Sequence, residues 1–129
     1  VHDSTGKALL PVRWAAVIDT VGGNTLSTAI KACRPEGSVA VIGLVADNTF
    51  TTTVYPFLIR GVNVLGIETG TTDIALRREL WHRLATTWRL PDLDSLVTYI
   101  DLPHLSDYID LMLKGQTRGR VVLRLAAPE

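Results

Sequence analysis

Three glycine-bearing segments hold the residues of this chain that could do chemistry: Thr20-Val21-Gly22-Gly23, Gly43-Leu44-Val45 and Gly66-Ile67-Glu68. Each follows directly on a short apolar run, so each reads as the turn after a strand. At the carboxyl ends of parallel strands the backbone must come close to a bound ligand, and glycine permits both that approach and a positive φ. The chemistry such turns serve is main-chain contact with a ligand resting on the strand ends. Gly22-Gly23 is equally a plain turn leading into a helix, of a kind found in proteins that bind nothing. Taken alone, Gly43-Leu44 is no more specific.

The titratable residues show no catalytic or metal-binding spacing. His2, His82 and His104 fall in a loop, on a charged helix face and at a helix start, and read as lone surface histidines. Asp19 closes a strand, where a carboxylate can act in catalysis or cap the following turn. Cys33 is the single cysteine, so neither a disulfide nor a multi-thiolate zinc site can be built from this chain, and no metal is expected. Trp14, Trp81 and Trp88 read as core or interface anchors.

The elements that must position the turns follow from the apolar patterning. Trp14 to Asp19 is continuously apolar and rich in β-branched residues until its closing acid, which predicts a strand buried on both faces, as in parallel sheets. Leu26, Ala29, Ile30 and Cys33 recur at helical spacing until Arg34-Pro35-Glu36-Gly37 stops them. Ser38 to Gly43 repeats the buried-strand signature, giving a βαβ unit. Tyr55 to Gly61 predicts a short helix with Pro at its start and Gly at its end, and Val62 to Ile67 a third buried strand. Ile74, Leu76, Leu80, Trp81, Leu84 and Trp88 predict a longer amphipathic helix, capped by Asp73, that covers the sheet. Pro91 breaks it. A strand over 96–102, a helix over 105–113 ended by Gly115, and a last strand over 120–125 follow.

Composition bounds the function classes. The 129 residues are 47% hydrophobic and 20% charged, which fits a folded protein and argues against disorder. One compact domain is the default for this length. Thirteen basic residues against thirteen acidic ones give no overall field to steer nucleic acid or an anionic membrane. No apolar run is long enough to span a bilayer and the N-terminus lacks a signal-peptide pattern, so a cytoplasmic setting is expected. Val1 in place of Met and the aperiodic stretch to Arg13 read as though the chain begins inside a larger protein.

Taken in order, the first strand, Asp19-Thr20-Val21-Gly22-Gly23, the helix, Arg34-Pro35-Glu36-Gly37-Ser38, the second strand, Gly43-Leu44 and the stretch Pro56 to Ile67 resemble the medium-chain dehydrogenase/reductase superfamily, over residues 14–125. Thr53 to Val62, the Arg77-Arg78-Glu79-Leu80-Trp81 helix and the ending Gly119 to Leu123 are similar to its zinc-independent quinone oxidoreductase branch, which includes acryloyl-CoA reductases. The resemblance implies an α/β fold: the C-terminal half of a Rossmann-type parallel sheet with flanking helices, then C-terminal strands belonging to the catalytic domain. Residues 1–129 would form one partial domain, with half-Rossmann units over 14–67 and the C-terminal segment over 73–125. It also implies NADPH-dependent hydride transfer to a carbon–carbon double bond conjugated to a carbonyl. Thr20, Val21 and Gly22 would lie beside the adenosine half of the cofactor. Gly43, Leu44 and Val45 would reach the nicotinamide ring and its amide, with Gly66, Ile67 and Glu68 in the corresponding place after the third strand. Arg120 would be directed at the pyrophosphate, where its guanidinium fork suits phosphate oxygens; as a residue it is equally a plain surface arginine.

A complete dinucleotide site also needs a Gly-x-Gly-x-x-Gly turn, whose amides and helix dipole hold the pyrophosphate. The chain has none; the resemblance places it before residue 1. The isolated chain is therefore expected to be inactive and to bind NADPH weakly or not at all. The Val62 to Ile67 edge is the outer strand through which the family joins two subunits, so a homo-oligomer is implied. The rival reading is a truncated, non-catalytic Rossmann-like module acting in dimerisation or protein interaction.

Overall fold

The computed structural model of the protein describes residues 1–125 and divides the chain into two compact units, Val1–Asp73 and Ile74–Glu129. In the first unit, β1 (Trp14–Asp19), α1 (Gly23–Lys31), β2 (Cys33–Val41), α2 (Tyr55–Arg60) and β3 (Asn63–Gly66) follow in sequence. All three strands run parallel in the order β1-β2-β3. Both crossovers place a helix on the sheet, and the apolar stripe of α1 meets the inward residues of the strands. Leu26, Ile30, Cys33, Val39 and Val62 form the buried core, with Val17 and Val41 packed against it. Burying side chains of the Leu and Ile class stabilises the fold by roughly 1.5–3 kcal/mol each.

Two details at the foot of the sheet shape this unit. Trp14 pairs with Cys33 but Ala16 pairs with Ser38, so Arg34-Pro35-Glu36-Gly37 loops out of β2 instead of lying between helix and strand as the sequence suggests. Glu36 takes a left-handed φ of 58° there. From the last turn of α2, the Arg60 guanidinium donates to the carbonyls of Leu10, Lys31 and Cys33 at 2.8, 2.9 and 3.1 Å. One cation thus ties the N-terminal segment, the end of α1 and the start of β2 together.

The sheet is covered on one face. Cross-strand partners Ile18, Ala40 and Leu65 share the other face, where Ile18 is 73% and Leu65 49% exposed. The expectation that β1 and β3 are buried on both faces is therefore corrected: the core with α1 lies on the Val17-Val39 side, and every residue of β3 is exposed, Val64 on that same side included. The continuous apolar runs were written for a sheet with two covered faces.

In the second unit, α3 (Ile74–Ala85) precedes β4 (Val97–Ile100), α4 (Leu105–Leu113) and β5 (Arg120–Leu123), with short 3-10 turns at Leu93–Leu96 and Leu102–His104. β4 and β5 pair in parallel, Val97 opposite Arg120 and Ile100 opposite Leu123. Both strands are shorter than expected: Leu96 ends a 3-10 turn, and Arg124 and Leu125 lie past the ladder. α3 forms where its period predicts, and none of its residues is buried. No described helix is long and apolar enough to cross a membrane.

Candidate cofactor rim at the strand ends

Parallel strands put their carboxyl ends at one edge, and the tips of β1, β2 and β3 gather there. The first two tips are stitched together by main-chain bonds. Ile42 N–H donates to Asp19 O at 2.8 Å, Val45 N–H to Thr20 O at 3.3 Å and Ala46 N–H to Val21 O at 2.9 Å. Gly22 and Asp47 complete this ribbon as an isolated parallel bridge. The third tip is joined to the second by Ile67 N–H donating to Val41 O at 2.9 Å.

This stitching explains two of the glycines without any ligand. A side chain on Gly43 would stand 2.6 Å from Thr20 O, and one on Gly22 would stand 2.2 Å from Asp47 O on a backbone of φ 74°. Asp19 is buried and its carboxylate accepts the Gly22 N–H at 2.9 Å. Of its two readings, catalysis or capping, the structure supports the cap. Gly66 differs. Its φ is not left-handed and a side chain there would meet nothing within 4 Å. The local fold does not require glycine at Gly66, and its bareness leaves the main chain of the third tip open to a ligand.

The other proposed contact residues divide by position. Gly22 is buried, Val21 and Gly43 half-buried, and Thr20, Leu44, Val45, Gly66, Ile67 and Glu68 exposed along the rim. The Glu68 carboxylate turns onto its own loop, accepting from Gly70 N–H, from Thr71 N–H at 2.8 Å and from the Thr71 hydroxyl. Arg120 opens β5 in the second unit and is exposed. Behind the rim, a cavity of about 250 Å³ is lined by Gly22, Leu26, Gly43, Leu44, Asp47 and Phe50.

The segment 45–50 packs against the rim in a way that apolar patterning did not disclose. Asp47 closes a turn by accepting from the Thr49 N–H and hydroxyl, each at 3.0 Å, and these bonds hold its carboxyl below the usual range. The Asp-x-Thr spacing was the available signal. His104, read as a lone histidine, has a partner in Asp101, whose carboxylate meets its Nδ1. That contact raises the His104 pKa and lowers that of Asp101.

A parallel α/β sheet with its glycine-bearing tips at one rim is the half-unit from which doubly wound nucleotide-binding folds are built. The family described as zinc-binding dehydrogenase matches residues 3–86. An acrylyl-CoA reductase, AcuI of Ruegeria pomeroyi, is 35% identical over 98% of this chain and 38% of its own length. Among solved structures, Bacillus subtilis yhfP with NAD bound superposes with TM-score 0.77 at 32% identity, over 97% of this chain and 38% of that one. Escherichia coli YhdH with bound NADPH gives 0.74 at 29% identity, over 93% and 37%. The chain belongs to the medium-chain dehydrogenase/reductase superfamily. It spans about 38% of the length of the curated relatives it matches. A zinc site does not fit the residues present: among the described residues no group of three or more His, Cys, Asp or Glu could hold a metal, and Cys33 lies in the apolar core.

Proposed function

We propose that this chain is part of the cofactor-binding region of an NADPH-dependent reductase acting on a carbon–carbon double bond conjugated to a carbonyl, as in a quinone, an enone or acryloyl-CoA. The observation that carries the reading is Gly66, which the fold leaves bare at the rim for no internal reason. The relatives support it, since two solved ones hold NAD and NADPH. The bound nicotinamide supplies the hydride. This chain would contribute shape and main-chain contact: mutually bonded tips at Thr20–Gly22 and Gly43–Val45 would form the seat, and the exposed Leu44 and Val45 offer apolar surface to a ring. Arg120 is proposed as a pyrophosphate ligand. A phosphate grip of amide groups on an anion, each bond worth about 1.5–3 kcal/mol, must come from a glycine-rich turn that these residues do not include.

The test is NADPH titration of two samples. The complete polypeptide carrying these residues is expected to bind with a micromolar or tighter constant, and the 129-residue chain at least a hundredfold more weakly. Absence of NADPH binding by the complete polypeptide would overturn the reading. We also propose a homodimer joined through β3, whose outer edge has no strand beside it among the described residues. Unpaired strand edges favour such pairing. A monomer mass by light scattering at high concentration would count against it. The single cysteine fits a cytoplasmic setting.

A further inference from the structure

The third tip carries a small device of its own. One carboxylate, Glu68, accepts from the Gly70 N–H, the Thr71 N–H and the Thr71 hydroxyl, while the Thr72 hydroxyl donates to Glu68 O at 2.7 Å. The bonds span residues 68–72, directly beyond Gly66 and the Ile67 anchor to β2. Several donors on one anion consume most of its acceptor capacity, so little is left for a ribose or an amide. Gly70 completes the device: its φ is ordinary, yet a side chain there would stand 2.8 Å from Glu68 Oε1. Glycine at Gly70 makes room for the carboxylate.

We infer that Glu68 is a positioning residue of the rim, which fixes residues 68–72 as a turn beside Gly66 and does not itself touch the cofactor. This rests on the dinucleotide reading above. The turn sets the height of the wall next to the open Gly66 backbone, and so the fit of whatever lies on it. Direct ligand contact by Glu68 is the competing account, and the two differ in what Gly70 should do. Gly70→Ala leaves the charge in place but displaces the carboxylate from its amides. Both changes fall on exposed residues, so neither should shift the melting temperature appreciably.

The experiment measures NADPH affinity by fluorescence for the complete polypeptide as wild type, Glu68→Ala, Gly70→Ala and the double variant, with amide exchange at Gly70 and Thr71. Each single change should weaken binding several-fold at unchanged melting temperature, and the double variant should be no weaker than either single one, because both undo the same turn. Glu68→Gln, which keeps an acceptor oxygen, should restore part of the affinity. Additive losses, or a loss in Glu68→Ala that Gly70→Ala does not share, would establish direct contact and overturn the inference; so would affinity unchanged in both. Failure of the wild type to bind NADPH would sink the dinucleotide reading instead. Amide exchange then judges the turn alone: slow exchange at Gly70 and Thr71, lost in both variants, upholds it, and fast exchange in the wild type refutes it.

Discussion

The Gly22 N–H donates to the buried Asp19 carboxylate across 2.9 Å, so the residue that closes β1 also closes the turn after it. This bond holds the first tip in the shape on which the second is laid. Asp19→Ala leaves the Gly22 amide without its acceptor in a buried place, at a cost of about 1–3 kcal/mol. Urea unfolding should show that loss, with Asp19→Asn retaining an acceptor and losing less. Equal stability of Asp19→Ala and wild type would return Asp19 to its catalytic reading.

Gly43 and Gly66 should respond oppositely to alanine. At Gly43 a methyl would press on Thr20 O at 2.6 Å, so Gly43→Ala should destabilise by about 1–3 kcal/mol. At Gly66 the methyl enters open space, and stability should hold or rise slightly, since glycine inside a strand is entropically costly. Cofactor affinity should nonetheless fall for Gly66→Val in the complete polypeptide. Thermal melts alongside NADPH titration check both.

Arg60 bonds three carbonyls from three segments, so its removal strips several charge-assisted contacts at once. Each is worth about 1.5–3 kcal/mol before the guanidinium's own desolvation is set against it. Arg60→Ala should lower the unfolding free energy by at least about 2 kcal/mol on that scale. Arg60→Lys should recover little, because an ammonium cannot span divergent acceptors as a fork does. A lysine variant as stable as wild type would show that charge alone suffices.

The Asp101–His104 pair predicts a pH window. The carboxylate raises the imidazole pKa, so the histidine's contribution is complete below its ordinary value of about 6.5 and is lost as pH rises through the raised one. Asp101 is lowered, so its contribution is present above the ordinary carboxylate value of about 3.9 and is lost as pH falls through the lowered one. The contact is intact between the two. Proton NMR should find His104 titrating above about 6.5, and Asp101→Asn should bring it back towards that value. Titration of His104 unchanged in Asp101→Asn would show that the pair does not form.

The first unit was legible in the sequence because its punctuation is strong. Helical spacing from Leu26 to Ile30 and the Pro56 and Gly61 brackets match α1 and α2, and the apolar runs match three parallel strands, but Cys33, counted in the helix by its spacing, opens β2 and pairs with Trp14. Arg34 to Gly37 reads as a break in the sequence but not as a loop within a paired strand, because register depends on partners far along the chain. The apolar period of α3 likewise states that one face is apolar, not what that face meets, and every α3 residue is left unburied. At the rim, residue type alone singles out Gly22 and Gly43, but their close approach, tip against tip, arises from pairing between segments distant in sequence. The sequence shows Glu68 following the third strand, but not that its carboxylate turns onto its own loop, which depends on hydrogen bonds to Gly70 and Thr71.

The open column from Ile18 through Ala40 to Leu65 has a practical outcome for anyone handling the chain by itself. Attraction between apolar surfaces weakens on cooling and strengthens when sulfate or phosphate is present. Preparations kept cold in dilute chloride should stay dispersed, whereas warming or ammonium sulfate should drive reversible clumping, and a polar replacement at Ile18 should delay its onset.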